Sequence, residues 1–414
     1  MMIERFDILI VGAGPAGSFA AEQLARSGVR VALFDGRPAG EPKACGGGVT
    51  SKALKAWPHL LDAVGRLIDD LEMYSPSGKR LRLKLAEPFA IYSRLAFDAH
   101  LRERAREAGA KVFAEKVTVR DWRDAEGSDW KVRAKSGAEW SAPFLVAADG
   151  ANSPIAKRLA GALPAAEMEV AFGYRTPLPT EGDARTIVAF LPKWAGYAWA
   201  FPRVDHISFG IATSQDAFDH QALDRLLWDF MIGYYRMRDD ATARIWSARG
   251  SKSSDNNSTN KERERLIEKE LNAKAERYAA RIPGLAVETW DKRRTTGEGW
   301  ALLGDAAGFA DPVTGEGIYY ALRSAELFSR AYLEGQPLDY ERRWRADFGR
   351  DLRRASQMRK RFYGSFWGAP FTERMIEFAR THRGIRNVLG QLVAGDQGYV
   401  DLKRTLARRA LWPL

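Results

Sequence analysis

The residues whose types and spacing carry the most chemistry are three glycines near the start of the chain, Gly12, Gly14 and Gly17. They follow an apolar run at 7–11 and precede a helical stretch at 18–27, so a GxGxxG pattern stands between a strand and a helix. The first glycine permits the tight turn, the second lets a pyrophosphate approach the backbone, and the third lets helix and strand pack closely. Because free N–H groups at a helix N-terminus favour an anion, the pattern predicts a dinucleotide site.

The residue that supports this interpretation is Asp35. It ends a second strand-like run at 29–34, eighteen residues past Gly17. A βαβ unit places there the carboxylate that accepts a ribose hydroxyl. A strand–turn–helix without a ligand is the alternative, and the second strand with its terminal carboxylate favours the nucleotide.

Two further acidic turns occur later in the chain. The apolar run at 144–148 leads into DGANS at 149–153, and the run at 300–304 leads into Asp305 and a glycine-punctuated loop. That loop ends at Gly317, and Ile318 opens a helix predicted over 318–333. The intervening segment at 168–213 alternates as antiparallel strands do. The simplest architecture is a nucleotide domain assembled from separated segments, with a sheet domain inserted between them.

Taken together, these motifs resemble the FAD-binding scaffold shared by p-hydroxybenzoate hydroxylase and its relatives. The resemblance implies an α/β fold with a Rossmann-like FAD-binding domain of the p-hydroxybenzoate hydroxylase/glutathione reductase type, an inserted antiparallel-sheet substrate domain and a helical C-terminal region, with FAD as cofactor. The expected domain bounds are 1–70 with 91–165 and 285–330 for the FAD domain, 71–90 with 166–284 for the substrate domain, and 331–414 for the helical region.

Two other stretches narrow the chemistry. Residues 44–48 read ACGGG, similar to the CGGG motif of the geranylgeranyl reductase family, and 197–202 read YAWAFP with Gly210 downstream, similar to that family's YxWxFP…G motif. The resemblance runs from Asp7 to about residue 320, and 399–409 also suits the family's C-terminal region. It implies an FAD-dependent oxidoreductase that reduces carbon–carbon double bonds of an isoprenoid chain by hydride transfer from reduced FAD.

Carried over to this chain, the resemblance also implies site residues. Cys45 would lie close to the isoalloxazine ring as a candidate proton donor, and Tyr197, Trp199 and Phe201 would line the substrate channel. The residues implied to bind FAD are Gly12, Gly14, Ala16, Gly17, Asp35, Cys45, Gly46, Gly48, Arg94, Val117, Asp305, Gly317 and Ile318.

The residues themselves leave alternatives open at these positions. Alternate residues of a strand project to one face, so 197, 199 and 201 form an aromatic row that suits an apolar chain. An ordinary sandwich core explains the same row. Cys45, taken alone, is more often a small buried apolar residue, although the adjoining glycines let a ring approach the backbone.

Composition limits the remaining classes. The chain has 414 residues and a single cysteine, which excludes an intramolecular disulfide and a cysteine-based metal site. Five scattered histidines lack ligand spacing, so no metal is expected. No window approaches the ~18 apolar residues of a spanning helix, and Glu4 and Asp7 argue against a signal peptide, so a cytoplasmic protein is expected.

The positive charge is concentrated at the C-terminal end. Residues 341–414 hold 17 Lys and Arg against 7 Asp and Glu, which is +10 of the net +11. Because aromatic residues interleave with these cations, a peripheral membrane contact at the inner face of the membrane is one interpretation, a site for a substrate phosphate is a second, and a solvated helical surface is a third. Nucleic acid is not an expected partner.

The expected substrate is an isoprenoid lipid or diphosphate, with NADPH, ferredoxin or another donor as reductant, since no second GxGxxG occurs. The competing enzymes on this scaffold are flavin monooxygenases and halogenases; halogenases need an active-site lysine and WxWxIP, where this chain has YAWAFP. A non-catalytic prenyl-lipid-binding module, as in the GDP dissociation inhibitors, is the alternative of another class. Locally, the sequence predicts a helical segment at 51–68, a hairpin at 71–85, a mobile loop at 251–260 and a helix at 262–281.

Overall fold

The computed structural model describes residues 3–38, 40–41, 43–121, 129–179, 184–214, 219–237, 245–246, 258–366 and 369–411. They divide into two compact units. The first contains Met1–Lys43, Arg94–Met168 and Arg281–Met358, and the second contains Ala44–Ser93, Glu169–Ala280 and Arg359–Leu414.

The strands of the described residues are, in chain order, β1 (Glu4–Arg5), β2 (Ile8–Val11), β3 (Val31–Phe34), β4 (Gly48–Val49), β5 (Gly65–Tyr74), β6 (Arg80–Tyr92), β7 (Lys111–Phe113), β8 (Val117–Asp121), β9 (Trp130–Ala134), β10 (Glu139–Ala142), β11 (Phe144–Ala147), β12 (Met168–Pro177), β13 (Ile187–Phe190), β14 (Gly196–Pro202), β15 (His206–Thr213), β16 (Glu276–Pro283), β17 (Thr296–Gly297), β18 (Trp300–Leu302), β19 (Ser365–Phe366) and β20 (Ala369–Pro370).

The α-helices are α1 (Pro15–Arg26), α2 (Ser51–Ala56), α3 (Arg94–Glu107), α4 (Pro154–Ala160), α5 (His220–Arg236), α6 (Ser258–Lys274), α7 (Val287–Lys292), α8 (Ile318–Leu333), α9 (Tyr340–Trp344), α10 (Arg350–Phe362), α11 (Phe371–Thr381), α12 (Arg383–Ala394) and α13 (Leu402–Leu411). Within the described part of the chain, no helix is both long enough and apolar enough to cross a bilayer.

The first unit is organised around a six-stranded sheet of order β17-β18-β11-β2-β3-β7. Strands β7, β3, β2, β11 and β18 pair in parallel, and only β17 is antiparallel to its neighbour. Every residue of β2, β3 and β11 is buried, as expected for a parallel sheet covered on both faces. Helix α1 packs against α8 and α3. A separate four-stranded sheet has the order β1-β10-β9-β8.

The second unit contains an eight-stranded sheet of order β16-β12-β15-β14-β13-β5-β6-β4. Antiparallel pairing predominates, with β13 and β5 as a parallel pair. One face is covered by α5, whose Leu223, Leu227 and Phe230 enter a core with Phe209 and Ile211 of β15. The predicted combination of a parallel nucleotide-binding sheet with an antiparallel sheet unit is confirmed.

Two local predictions were wrong, and both were strands assigned to helices. Residues 65–68 begin β5 rather than ending a helix, because Ile68 pairs with Phe89 across the sheet. Residues 276–281 belong to β16, where Tyr278 is buried, so α6 ends at Lys274. Sheet pairing and burial outweigh the helical propensity of such charged segments. The hairpin at 71–85 is confirmed by β5 and β6, with its turn at 75–79.

The unit boundaries differ from the predicted domain bounds in two places. Residues 44–70 lie in the second unit, because β4 pairs with β6 and β5 runs through the same sheet. The C-terminal region is shared, since residues up to Met358 belong to the first unit and residues from Arg359 to the second. Of the loop predicted at 251–260, residues 251–257 lie outside the described residues, and Ser258 begins α6.

Candidate functional site

The turn between β2 and α1 requires glycine at two positions. Gly12 has a φ of +106°, and a Cβ placed there would lie 2.3 Å from the carbonyl oxygen of Ala148. A Cβ on Gly17 would lie 1.9 Å from the carbonyl oxygen of Gly12. These contacts explain the tight turn and the close packing of helix on strand.

Gly14 differs from those two glycines, because no atom lies within 4 Å of a Cβ built on it. Gly14 is the N-cap of α1, without a side-chain cap, and the first turn of α1 has no acidic residue. The helix therefore presents backbone N–H groups and the positive end of its dipole to open space. Such an arrangement binds phosphate oxygens.

Within the first unit, the GDAAG turn at 304–308 packs against the glycine motif at 12–17. A Cβ on Gly304 would lie 3.2 Å from the Cβ of Ala16, so the GDAAG turn contacts the start of α1. In the same turn, Oδ1 of Asp305 lies 3.1 Å from the Cβ position of Gly317. Gly317 is the uncapped N-cap of α8, which begins at Ile318 and carries no acidic residue in its first turn. A second helix N-terminus without a side-chain cap thus lies beside a carboxylate.

Asp149, in the remaining acidic turn, supplies a direct test of whether these residues fit a dinucleotide. Its Cα lies 2.7 Å from the Cβ position of Gly12, so the turn borders the glycine motif. Among the described residues, no donor reaches Oδ1 of Asp149, which is buried, and burial raises the pKa of this carboxyl to about 6. A buried acceptor without a donor suits a ligand hydroxyl, such as those of the ribityl chain or ribose of FAD. The residues present fit FAD.

Asp35 directly follows β3 and lines a cavity of about 160 Å³ in the first unit. Its Oδ2 lies 3.1 Å from Nη1 of Arg102, and its Oδ1 accepts the Arg37 N–H at 3.2 Å. Arg94 lines the same cavity and donates to both oxygens of Asp98, at 2.9 and 3.0 Å. Burial alone would raise the pKa of Asp98, but the guanidinium groups of Arg94 and Arg37 outweigh it and hold that pKa below its usual value.

Val117 is the remaining residue of the first unit predicted to contact FAD. It begins β8, and the neighbouring Lys116 packs against Gly36, with its Cα 3.2 Å from the Cβ position of that glycine. The structure therefore places Val117 next to the loop that follows Asp35. Its contact with the cofactor stays a prediction.

In the second unit, the loop around Cys45 is held tightly by the backbone. Gly47 has a φ of +80°, and a Cβ there would lie 2.2 Å from the carbonyl oxygen of Tyr92. The Tyr92 N–H donates to the carbonyl of Gly47 at 2.9 Å. The Gly47 N–H donates in turn to Sγ of Cys45 at 3.3 Å. Cys45 is half-buried, so it is not a residue of the hydrophobic core.

The aromatic row of β14 lies on the face of the sheet opposite the core. Ala198 and Ala200 enter the core beneath α5, whereas the rings of Tyr197, Trp199 and Phe201 follow one another at centroid distances of 6.0 and 6.4 Å. The rings of Phe201 and Trp199 lie close to the glycine loop, with a Phe201 carbon 3.3 Å and Trp199 Nε1 3.5 Å from the Cβ position of Gly46. Phe201 is also 3.5 Å from that of Gly48. The row therefore does not belong to the core beneath α5, and its contact with a substrate stays a prediction.

The structure explains the glycine of the YxWxFP…G motif and adds a tyrosine that the sequence motifs do not predict. Gly210 is the cross-strand partner of Trp199, and a Cβ there would lie 2.1 Å from the indole, so glycine makes room for the ring. Tyr278 of β16 similarly lies against Gly173, and its hydroxyl donates to the carbonyl of Phe209 at 2.7 Å. Burial raises the pKa of Tyr278 to about 12. The sequence pattern predicted a helix for the segment that contains Tyr278, so it did not place this side chain in the sheet.

Arg203 is the other residue that sequence reasoning missed. Its Nη2 donates to the carbonyl oxygen of Cys45 at 2.6 Å and to that of Gly46 at 3.3 Å. Its position four residues after Trp199 on an alternating strand is the signal that could have placed it on the same face.

The family described as FAD binding domain matches residues 5–328. A geranylgeranyl diphosphate reductase of Rhodobacter capsulatus is 30% identical over 363 residues, covering 81% of this chain and 78% of the relative. The chain belongs to the geranylgeranyl reductase family. A digeranylgeranylglycerophospholipid reductase 3 of Methanosphaera stadtmanae is 28% identical over 345 residues, covering 80% of this chain and 78% of that protein.

Solved structures agree on the fold of this reductase-family chain. A geranylgeranyl bacteriochlorophyll reductase-like protein of Thermoplasma acidophilum matches with a TM-score of 0.72 and 22% identity, covering 99% of this chain and all of that one (100%). A flavin-dependent brominase matches with a TM-score of 0.66 and 17% identity, covering 98% of each chain. The predictions of FAD as cofactor and of an FAD-dependent oxidoreductase of the geranylgeranyl reductase type are confirmed, and the halogenase interpretation is less well supported.

Proposed function

We propose that this protein reduces carbon–carbon double bonds of an isoprenoid chain. The observation that carries the proposal is the aromatic row of β14, which lies outside the core beneath α5 and whose Trp199 and Phe201 lie against the loop that contains Cys45. The names of the related reductases, with a diphosphate in one and a glycerophospholipid in another, support an isoprenoid with a phosphate-bearing head. FAD, when bound and reduced, supplies the hydride.

The residues of the second unit do the rest of the chemistry in this proposal. The aromatic row holds the apolar chain and excludes water, which favours hydride delivery to carbon over loss of reducing equivalents. Cys45 holds a proton at Sγ and delivers it to the carbon next to the one that receives the hydride. The thiolate that remains is then reprotonated from solvent. The Gly47 N–H donates to a lone pair of Sγ, so the S–H bond points away from Gly47.

The residues of the first unit bind the cofactor in this proposal. The N-terminus of α1 at Gly14 holds the pyrophosphate, and the carboxylate of Asp35 accepts a ribose hydroxyl once Arg37 and Arg102 rearrange. Asp305 and the start of α8 at Ile318 would serve the ribityl chain and the flavin edge. Arg94 supports this site through Asp98 rather than through an uncommitted guanidinium.

The test is an anaerobic single turnover. The purified yellow protein is reduced with dithionite and mixed with geranylgeranyl diphosphate or a geranylgeranyl phospholipid without oxygen. We expect the oxidised flavin spectrum to return and the lipid to gain two hydrogen atoms per double bond. A flavin that stays reduced with both lipids and oxidises only when oxygen enters would contradict the proposal and favour an oxygenase or halogenase. A purified protein that binds no flavin would favour a lipid-binding module.

The role of Cys45 has its own variant. Cys45→Ala should retain FAD and reduce the flavin normally, but lose at least about a hundredfold in turnover, the range of a single general acid. Cys45→Ser, of similar size, controls for packing. Unchanged turnover in Cys45→Ala would remove the proton-donor role.

The electron donor and the basic C-terminal surface complete the proposal. NADPH and reduced ferredoxin are the candidate donors, which stopped-flow reduction of the flavin under anaerobic conditions distinguishes.

For the basic C-terminal surface, Phe362 is buried against Phe190, so it does not contribute a membrane-facing ring. Phe378 is 44% exposed, among exposed cations of α11–α13 that include Arg380, Arg383, Lys403, Arg404 and Arg408.

We infer that this surface of α11–α13 contacts anionic lipid headgroups where the isoprenoid substrate resides. Pelleting with anionic vesicles at low salt should retain the protein, and high salt should release it. The double variant Lys403→Glu/Arg404→Glu should pellet less. Absence of pelleting at low salt would refute the membrane contact.

A further inference from the structure

The residue that directly follows the YAWAFP stretch has an unusual position for a cation. Arg203 is 3% exposed and lies at the turn between β14 and β15, where its N–H donates to the carbonyl of His206 at 2.7 Å. Long charged side chains are seldom buried to this extent unless the charged group is paired or hydrogen-bonded.

The direction of the Arg203 side chain follows from strand alternation. Trp199, Phe201 and Arg203 occupy alternate positions, so they project to the same face. On that face the guanidinium meets the glycine loop: Nη2 donates to the carbonyl oxygens of Cys45 and Gly46, at 2.6 and 3.3 Å. The same nitrogen lies 3.2 Å from the Cβ position of Gly47, in space that a side chain at 47 would fill.

These contacts act on the first part of the loop, because Gly47 is already held by the Tyr92 N–H and Gly48 by the pairing of β4 with β6. Gly46, Gly47 and Gly48 have no side chains to pack, and glycine gives the backbone the greatest freedom. Hydrogen bonds from a charged donor are stronger than those between neutral groups. The Cys45–Gly46 backbone is therefore tied to the sheet by Arg203 on its carbonyl side, while the Gly47 N–H contacts Sγ. The backbone carbonyls of Cys45 and Gly46 and the Sγ atom of Cys45 are then each held by a hydrogen bond.

We propose that Arg203 is a positioning residue for Cys45. By holding the carbonyls of Cys45 and Gly46, it sets the direction of the Cys45 side chain and limits the excursions of the loop. The positioning can be tested without substrate, whereas its consequence for turnover rests on the proposed function of the protein.

The single cysteine of the chain makes the test direct, because alkylation by iodoacetamide has no background. The alkylation rate is measured on the FAD-loaded protein without substrate, at a temperature at which each variant is folded by circular dichroism. Arg203→Met removes the donor, and Arg203→Lys keeps the charge without the planar fork. Arg236→Met is the matched control, since Arg236, the last residue of α5, is a partly buried arginine of the same unit that pairs with Glu264 on α6.

We expect Arg203→Met to be alkylated about tenfold faster than the unchanged protein, the factor that corresponds to losing one hydrogen bond from a charged donor. Arg203→Lys should lie between the two, at about threefold, and Arg236→Met should match the unchanged protein. If Arg203→Met does not fold, Arg203→Lys decides. An alkylation rate within 1.5-fold of the unchanged protein in Arg203→Lys, or within twofold in a folded Arg203→Met, overturns the proposal. The same acceleration in Arg236→Met overturns it too, because lost stability would then explain the effect.

Turnover separates positioning from substrate binding. In the single-turnover assay, Arg203→Met should lower the rate constant at saturating lipid about tenfold and leave the half-saturating lipid concentration within twofold. A higher half-saturating concentration with an unchanged rate constant would overturn the positioning role. If the unchanged protein reduces neither lipid, the proposed function fails while the alkylation result still decides the position of Cys45.

Discussion

Replacing Asp149 by asparagine should make the FAD-free protein more stable at neutral pH, and the gain should shrink in acid. Oδ1 of Asp149 is buried and has no hydrogen-bond partner in the part of the chain that the structure describes, and burial raises the pKa of the carboxyl from 3.8 to about 6. Between these two values the folded protein binds more protons than the unfolded chain. Its stability therefore falls as the pH rises through this window, because ionisation inside the fold is penalised.

The magnitude follows from the two pKa values. At pH 7.5 both states are ionised, and the full shift amounts to roughly 3 kcal/mol of destabilisation. At pH 4.5 the folded state keeps its proton while most unfolded chains have lost theirs, which leaves roughly 1 kcal/mol. Asparagine carries no charge, so the stability difference between variant and unchanged protein should decrease by roughly 2 kcal/mol from pH 7.5 to pH 4.5. That decrease does not depend on what the asparagine amide itself costs in this position.

The assay is urea unfolding of the FAD-free protein at the two pH values, followed by far-UV circular dichroism. Asp7→Asn is the control, because Asp7 lies in the same unit and its hydrogen bond with Arg30 lowers the pKa of its carboxyl. A lowered pKa contributes stability that is lost only as the pH falls below the unfolded value of 3.8, and both pH values lie above it. This variant should therefore be destabilised by nearly the same amount at pH 7.5 and at pH 4.5. An Asp149→Asn difference of the same size at both pH values would refute a buried carboxyl with a raised pKa.

Two further predictions concern the first unit. Gly14→Ala should leave the melting temperature of the FAD-free protein unchanged, because a Cβ at this position meets none of the described atoms. The same variant should bind FAD at least about tenfold more weakly in a fluorescence titration, because the added methyl group keeps the pyrophosphate away from the backbone. Gly12→Ala should destabilise the protein even without FAD, and equal stability of the two variants would contradict the assigned turn. Arg293→Met should cost about 3 kcal/mol or more in urea unfolding, because the buried Arg293 donates to three backbone carbonyls, and a loss below about 1 kcal/mol would show that those carbonyls find other donors.

The motifs that sequence reasoning placed correctly are those whose requirements are local. The glycines at 12 and 17 are needed by one turn of backbone, and the helix at 318–333 ends where its pattern ends. The hairpin at 71–85 carries its turn residues within itself. Such features depend on neighbours a few residues away, and the order of residues contains that information.

The misassigned segments depend on partners that are distant in the chain. Residues 276–281 have a composition that suits a helix, but their place beside β12 makes them a strand and puts Tyr278 against Gly173. The aromatic row of β14 was compatible with either a core or a ligand surface. Its face is decided by α5, which covers Ala198 and Ala200 and leaves the rings on the other side.

The sequence by itself determined the cofactor class and the family, because glycine spacing and short motifs express what a strand–turn–helix and a nucleotide need locally. Only the tertiary structure decided that Ala16 meets Gly304, that Oδ1 of Asp149 is buried without a donor among the described residues, and that Arg203 holds the backbone of Cys45. Burial and hydrogen bonding between residues more than a hundred positions apart depend on how the sheets order their strands. No local pattern contains that order.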